Sequence, residues 1–146
     1  LHINGEPVVF VYAPGSDCAK NTEWTNIAAS GVYVSMTDIP QWWTCNTLDS
    51  WHGYAPAQRV KAVYEGSHVY ALAVSAGFWA AWEQNPRLVR DFTEWESGIA
   101  TWNIYNPDWQ LVYFSEFGEG TNIEPSTARC VEYLCSDYLK VLAENP

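Results

Sequence analysis

At 146 residues the chain fits one compact domain, and an apolar fraction of 48% with 16% charged residues is that of a globular protein rather than a disordered one. The formal net charge of −10 repels phosphate backbones and anionic lipid surfaces, which argues against a nucleic-acid or membrane-surface partner. Nine Trp and nine Tyr residues are many for this length. Such rings fill cores, and they also line binding sites for sugars, nucleotides and amines.

The chain has four cysteines, Cys18, Cys45, Cys130 and Cys135, without the C-x-x-C spacing of a zinc site. Their even number predicts two disulfides in an oxidising compartment with three pairings open, and the alternative is four buried free thiols in a cytosolic protein. No apolar run of 18 residues would span a membrane. The opening "LHINGE" is typical of a mature chain whose signal peptide has been removed, so we expect a secreted protein.

The first half of the chain predicts two strands and a short helix. The β-rich run Glu6–Pro14 predicts a buried strand. The next stretch predicts a helix capped by Asn21 or Thr22 and ended by Gly31. The run "GVYVSMTDIP" resumes strand composition. The segment Gln41–Pro56 has no clean period, and we expect a loop packed by its own Trp side chains.

The middle of the chain allows two interpretations. The run "RVKAVYEGSHVYALAV" predicts a strand over His68–Val74, preceded either by a second strand in a hairpin or by a helix over Arg59–Glu65 with Gly66 as its C-cap. In "NPRLVRDFTEWES", Asn85 as a cap and Pro86 at the first helical position predict the start of another helix.

The last third predicts one strand and the clearest helix. The run "WQLVYFSEF" alternates as a strand does, and "STARCVEYLCSDYLKVLAEN" is an amphipathic helix capped by Ser126 or Thr127. The fold class that we expect is therefore α+β. We predict a single domain, residues 1–146, with a small mixed or antiparallel β core, flanking short helices and a C-terminal helix.

Two glutamates, Glu94 and Glu96, stand two residues apart within "DFTEWESGIATWNIYNPDW". On a helix, residues two apart point in different directions, whereas on a strand they share one face. A helix that continues from Pro86 would leave both glutamates in solvent. On a strand they would instead share one face, so whether they are a pair of working carboxylates is also a question of secondary structure.

The segment around the pair resembles the catalytic segment of the heat-labile enterotoxin catalytic chains, the mono-ADP-ribosyltransferase family that includes cholera and pertussis toxins. In that family an E-x-E pair is followed by a G-I run, an I-Y-like run and a Trp. Glu94 and Glu96 are followed here in the same order by Gly98-Ile99, Ile104-Tyr105 and Trp109.

Two upstream blocks extend the resemblance, and one position departs from it. Ser35-Met36-Thr37 is similar to the family's S-T-S box, and His68–Ser75 is similar to a hydrophobic strand that follows the box. The family has an arginine at the end of its first strand, where "VFVYAPGS" places Tyr12. A tyrosine cannot replace the bidentate, charged grip of arginine on a phosphate.

The resemblance implies an ADP-ribosyltransferase-like fold and NAD as a substrate. No metal is expected, because His2, His52 and His68 are far apart in the sequence and lack the spacing of zinc ligands. The reaction would cleave the bond between nicotinamide and ribose and pass ADP-ribose to a host protein, or to water as in an NAD glycohydrolase. Glu96 would stabilise the oxocarbenium-like transition state, and Glu94 would be the general base. Ser35 would hold Glu96 by a hydrogen bond. The residues implied to contact NAD or to support the site are Ser35, Thr37, Tyr12 and Trp95, with Trp102 as a second candidate for stacking on nicotinamide.

The missing arginine leaves several functions open. Arg59 or Lys61 could meet the phosphates in its place, the chain could hydrolyse NAD slowly, or the fold could be an inactive scaffold. The expectation is thus a secreted toxin or effector that is degenerate at Tyr12, acting as a monomer or a small assembly. The alternatives are a Trp-rich secreted protein that binds a small molecule or a carbohydrate, lipocalin-like or lectin-like, and a non-catalytic protein-interaction effector.

Overall fold

The computed structural model describes residues 1–12, 18–39, 43, 48–113, 117–123 and 135–145. These residues form a small α+β domain with two mixed sheets and three α-helices, which confirms the predicted fold class at this level. In chain order the elements are β1 His2–Ile3, β2 Glu6–Val11, α1 Cys18–Ala29, β3 Tyr33–Thr37, β4 Ser50–His52, β5 Val60–Glu65, β6 His68–Val74, α2 Phe92–Tyr105, β7 Trp109–Val112, a 3₁₀ turn Phe117–Glu119 and α3 Cys135–Glu144. None of the helices described is long and apolar enough to cross a membrane.

The first sheet has the strand order β1-β2-β3-β4. β1 and β2 are antiparallel and are joined through Asn4 and Gly5, both at positive φ (52° and 87°), as a type I′ hairpin turn requires. β2, β3 and β4 are parallel. A parallel pair needs a long crossover, and α1 lies in the crossover between β2 and β3. This helix ends before Gly31, as predicted, but it begins at Cys18 rather than at Asn21 or Thr22.

The second sheet has the strand order β5-β6-β7. β5 and β6 form an antiparallel hairpin around Gly66, whose φ of +59° suits a tight turn. The strand interpretation of the segment before Gly66 is therefore confirmed, and the alternative helix over Arg59–Glu65 is wrong. β6 and β7 are parallel, and α2 forms their crossover.

The loop prediction for Gln41–Pro56 is wrong at Ser50–His52, which forms β4. All three residues of β4 are buried, so the strand lacks the alternation of polar and apolar residues that marks a half-exposed strand. The expected packing by Trp side chains is present, because Trp43 stacks on Trp51 with ring centroids 4.6 Å apart and an interplanar angle of 11°.

The helix predicted from Pro86 begins six residues later, at Phe92. Asp91 is its N-cap, with extended backbone dihedrals and a side-chain oxygen that accepts the N–H of Glu94 at 2.9 Å. Leu88 lies before the helix and exchanges two backbone hydrogen bonds with Phe78. This pairing holds the preceding chain extended, so the Asn-Pro signal does not start a helix here.

Some predictions fall on residues outside the described ranges. They are the strand end at Pro14, the helix caps Ser126 and Thr127, and the cysteines Cys45 and Cys130. The side chains of Cys18 and Cys135 also lie outside the described part. The two disulfides therefore stay a prediction.

Two apolar clusters hold the elements together. One lies between the second sheet and the helices α2 and α3, and its buried members include Leu72, Val74, Trp95, Ile99, Ile123 and Tyr138. Gly98 allows α2 to pack closely against β6, because a Cβ at this position would lie 2.9 Å from Cγ1 of Val74. The other cluster joins the two sheets, and its buried members are Val11, Val34, Met36, Trp51, Val63 and Ala71.

Candidate functional site

Two contacts between β4 and β7 show that these strands run in the same direction. At their beginnings, the indole N–H of Trp109 donates to Ser50 Oγ at 3.0 Å. At their ends, the Tyr113 hydroxyl donates to the Gly53 carbonyl at 3.4 Å and accepts the N–H of Ala55. The carboxyl ends of the parallel strands of both sheets therefore lie together at one end of the molecule. In parallel sheets this end is where ligands usually bind.

Three tyrosines meet at this end, and we call Tyr12, Tyr54 and Tyr113 the tyrosine cluster. Tyr12 follows the last residue of β2, Tyr54 comes two residues after β4, and Tyr113 follows the last residue of β7. The rings of Tyr12 and Tyr54 have centroids 4.7 Å apart, and those of Tyr54 and Tyr113 are 5.5 Å apart, both in edge-to-face contact. Tyr12 is 63% exposed and Tyr54 is 43% exposed.

Tyr113 anchors the cluster to the protein. Its two hydrogen bonds fix the backbone on both sides of Tyr54, at Gly53 and Ala55. Burial raises the pKa of the Tyr113 hydroxyl, so this group stays protonated and can donate at ordinary pH. The ring of Tyr54 is therefore presented by a backbone that is already held in place.

The first sheet, two of whose strands lead into the cluster, buries three polar side chains that we call the polar floor: Ser35, Thr37 and His52. Each is at most 8% exposed. Ser35 and Thr37 lie two residues apart on β3, so both face the same side of the sheet. His52 is paired opposite Thr37 in the register of β3 and β4.

The hydrogen bonds of the polar floor define one tautomer of His52. Thr37 Oγ1 donates its single proton to the Val11 carbonyl at 2.9 Å, so it can only accept from His52 Nε2, 3.3 Å away. The imidazole proton therefore belongs on Nε2. Nδ1 then accepts the hydroxyl proton of Ser35 at 3.1 Å. All three side chains are satisfied while the ring is neutral, and burial lowers the pKa of His52 to about 4.

This serine–histidine contact does not make a nucleophile. Ser35 is fully buried, so its oxygen cannot reach a substrate at the surface. The ring of Phe10 also covers His52 in an edge-on contact with centroids 5.4 Å apart, and it contacts Trp109 at 4.9 Å. The polar floor instead ties together β2, β3 and β4, and two of these strands, β2 and β4, lead into Tyr12 and Tyr54.

The glutamate pair lies on another element. Glu94 and Glu96 are both on α2 and both exposed, which confirms the interpretation of "EWE" as solvated helix. The Glu94 carboxylate is 3.5 Å from Nε of Arg59 and is 65% exposed. The expected hydrogen bond between Ser35 and Glu96 is absent from the described part of the chain, because the Ser35 hydroxyl is paired with His52. The structure therefore brings Ser35 and Thr37 together but does not bring Glu96 to them.

The two tryptophans predicted to stack on nicotinamide are core residues. Trp95 has no exposed surface and contacts the ring of Tyr138 with centroids 5.7 Å apart. Trp102 is 5% exposed, and its indole N–H donates to the Leu72 carbonyl at 3.1 Å. Neither ring can meet a ligand unless the core opens.

The two cations proposed to replace the family arginine are already engaged. The Arg59 guanidinium donates to the carbonyls of Ser75, Ala76 and Val89, each at 2.7 Å. Lys61 Nζ lies 3.1 Å from a carboxylate oxygen of Asp38. A phosphate group would have to displace these partners.

Tyr12 is among the site residues predicted from the sequence, whereas Tyr54, Tyr113 and His52 are not. A signal for Tyr54 was present, because the tripeptide Tyr-Ala-Pro occurs twice, after β2 and after β4. No comparable signal marks Tyr113 or His52, whose roles depend on which strands are neighbours. Within the described ranges, no group of three His, Cys, Asp or Glu side chains could hold a metal ion.

The site thus combines exposed aromatic rings with tyrosine hydroxyls on a fixed backbone. It suits the binding of a ligand that presents a small, polar but uncharged surface, rather than acid–base or nucleophilic chemistry. Protein-family models, curated proteins and solved structures were all compared with the chain, and none of them matched it.

Proposed function

We propose that this chain is a carbohydrate-binding protein that holds a neutral sugar at the tyrosine cluster. The observation that carries the proposal is the contact of three tyrosines placed at the carboxyl ends of β2, β4 and β7. Tyr12 and Tyr54 are the exposed members, and Tyr113 holds the backbone around Tyr54.

The chemistry of a sugar ring fits such a surface. A sugar presents C–H groups on its faces and hydroxyl groups around its rim, so it can stack on an aromatic ring and bond to a tyrosine hydroxyl at the same time. An edge-to-face contact covers the face of only one of the two rings, so part of the cluster's ring surface remains available. Since the backbone around Tyr54 is ordered before binding, little conformational entropy is lost when the ligand arrives.

The charge of the chain selects against anionic ligands. A net charge of −10 repels nucleotides and sugar phosphates at long range. The lectin-like form of the alternative, with an open surface site, agrees better with the exposure of Tyr12 and Tyr54 than an enclosed lipocalin-like cup does. Secretion, suggested by the four cysteines, remains part of this proposal.

Titration calorimetry with neutral oligosaccharides of glucose, mannose, xylose and N-acetylglucosamine tests the proposal. We expect at least one of them to bind the wild type, and Tyr12→Ala and Tyr54→Ala each to weaken that binding by about tenfold, because each removes a stacking surface. Tyr54→Phe keeps the ring and should retain most of the affinity.

Tyr64→Ala is the matched control. Tyr64 is 65% exposed, but it lies on β5 opposite Val69, near the start of β6 and hence at the other end of the parallel strands. This variant should bind as the wild type does. Binding of no sugar by the wild type, or equal binding by Tyr54→Ala, would refute the proposal.

The enterotoxin-like alternative stays a prediction, as do its ADP-ribosyltransferase-like fold, its NAD substrate and its host acceptor protein. It is supported by the order of the sequence blocks around Ser35, His68 and Glu94. The buried Trp95 and the pairing of Ser35 with His52 do not favour it. A non-catalytic interaction effector likewise stays a prediction.

A further inference from the structure

The segment that joins β6 to α2 exposes two nearby indoles. Trp82 is 73% exposed and Trp79 is 36% exposed. Single exposed apolar residues are common on protein surfaces, so exposure alone assigns no role to Trp82. What distinguishes this indole is the rigidity and the position of the turn that carries it.

The turn, residues 78–88, is closed by hydrogen bonds at its base and is stabilised by others within it. Phe78 and Leu88 exchange backbone hydrogen bonds of 2.9 and 3.1 Å, which close the base. Within the turn, the Glu83 N–H donates to the Ala80 carbonyl at 3.0 Å, and the Ala80 N–H donates to the Glu83 carboxylate at 3.2 Å. Trp82 is therefore presented on backbone that is ordered before any ligand binds, which favours affinity.

Two further bonds join the turn to the segment that follows β7. The Trp79 N–H donates to the Glu119 carbonyl and the Ala81 N–H donates to the Gly118 carbonyl, both at 2.8 Å. Glu119 and Gly118 belong to the 3₁₀ turn that follows β7. The turn itself follows β6. Trp82 and the tyrosine cluster therefore both follow the carboxyl ends of parallel strands, and these ends lie together.

Two separate aromatic surfaces that each follow the carboxyl ends of parallel strands suit a ligand with several rings, because one sugar ring can cover only one of them. We infer that the ligand is an extended neutral glycan that stacks on the tyrosine cluster with one part and on Trp82 with another. This inference rests on the proposed function and adds to it the length of the ligand and a second binding residue.

The test compares disaccharides with hexasaccharides of the same sugar and linkage, again for glucose, mannose, xylose and N-acetylglucosamine. For the wild type we expect the hexasaccharide to bind about tenfold more tightly than the disaccharide, as one added aromatic contact would provide. Trp82→Ala should abolish this gain and leave disaccharide binding unchanged. Tyr54→Ala should weaken the binding of both lengths.

The controls separate stacking from structural effects. Trp82→Phe should keep much of the gain, and Tyr64→Ala should keep all of it, while circular dichroism checks that each variant is folded. A wild type that binds both lengths equally, or a Trp82→Ala variant that keeps the gain, would overturn the inference and leave the proposed function standing. A wild type that binds neither length would overturn both.

Discussion

His52 is enclosed between two hydroxyl groups, and burial lowers its pKa from 6.5 to about 4. Between these values the unfolded chain binds a proton that the folded chain does not bind, so the free energy of unfolding falls as the pH is lowered. We expect the contribution of His52 to be complete well above pH 6.5 and to be reduced by about 3 kcal/mol once the pH has fallen to the folded-state pKa of about 4.

Urea denaturation of the wild type and of His52→Gln, at about pH 7 and about pH 4.5, measures this contribution. The variant lacks the titrating ring, so its stability should fall less between the two conditions, although it loses part of the hydrogen-bond network at both. His2→Gln is a control, since His2 is exposed on β1, and it should follow the wild type. Equal losses in the wild type and in His52→Gln would contradict the prediction.

At the residue scale, Ser35 and Thr37 lie on one strand as predicted, but the hydrogen-bond partner of Ser35 is His52 rather than the predicted Glu96. Their shared direction is a local property, because residues two apart on a strand face the same side. Their hydrogen bonds to His52 depend on the register between β3 and β4, where Thr37 is opposite His52. Nothing in the local pattern of either strand specifies that register.

Glu94 and Glu96 lie in the first turns of α2, so the N-cap of this helix helps to fix their position. Asp91 caps the helix by accepting the N–H of Glu94 at 2.9 Å. We expect Asp91→Ala to lower the free energy of unfolding by about 1 kcal/mol, because a donor in the first helical turn loses its partner. The measurement is the shift in the midpoint of urea denaturation at unchanged slope.

Asp91→Asn tests whether the cap or the charge is responsible. Asparagine caps helices about as well as aspartate, so this variant should stay within a few tenths of a kcal/mol of the wild type. A loss as large as that of Asp91→Ala would mean that the negative charge near the helix N-terminus, not the hydrogen bond, provides the stability.

At the element scale, the sequence predicts a boundary correctly where one strong local signal marks it, and incorrectly where two signals for the same boundary compete. Gly66 marked the hairpin and Gly31 the end of α1, because both positions need positive φ. The Asn85-Pro86 signal led to a predicted start of α2 that is six residues too early. Asp91, followed three residues later by Glu94, also has the form of a helix start. β4 was missed because a three-residue strand buried on all sides shows no period.

At the scale of the molecule, the site is assembled from segments that are distant in sequence. Tyr12 and Tyr113 stand about a hundred positions apart, and both contact Tyr54 only because β2, β4 and β7 end close together. Sequence patterns predicted the class of fold and several strands. They could not predict which strand ends are neighbours, and the candidate site depends on that.

The same long-range arrangement bears on the enterotoxin-like hypothesis, which needs Glu96 close to Ser35. Glu96 is exposed on α2, while Ser35 is buried on β3 with its hydroxyl bonded to His52. We therefore expect no release of nicotinamide from NAD that depends on Glu96. The measurement compares the wild type with Glu96→Gln, a change that removes the charge and keeps the shape. Turnover by the wild type that is lost in Glu96→Gln would contradict this expectation and establish the pair as catalytic. Equal rates would leave sugar binding at the tyrosine cluster as the function to pursue.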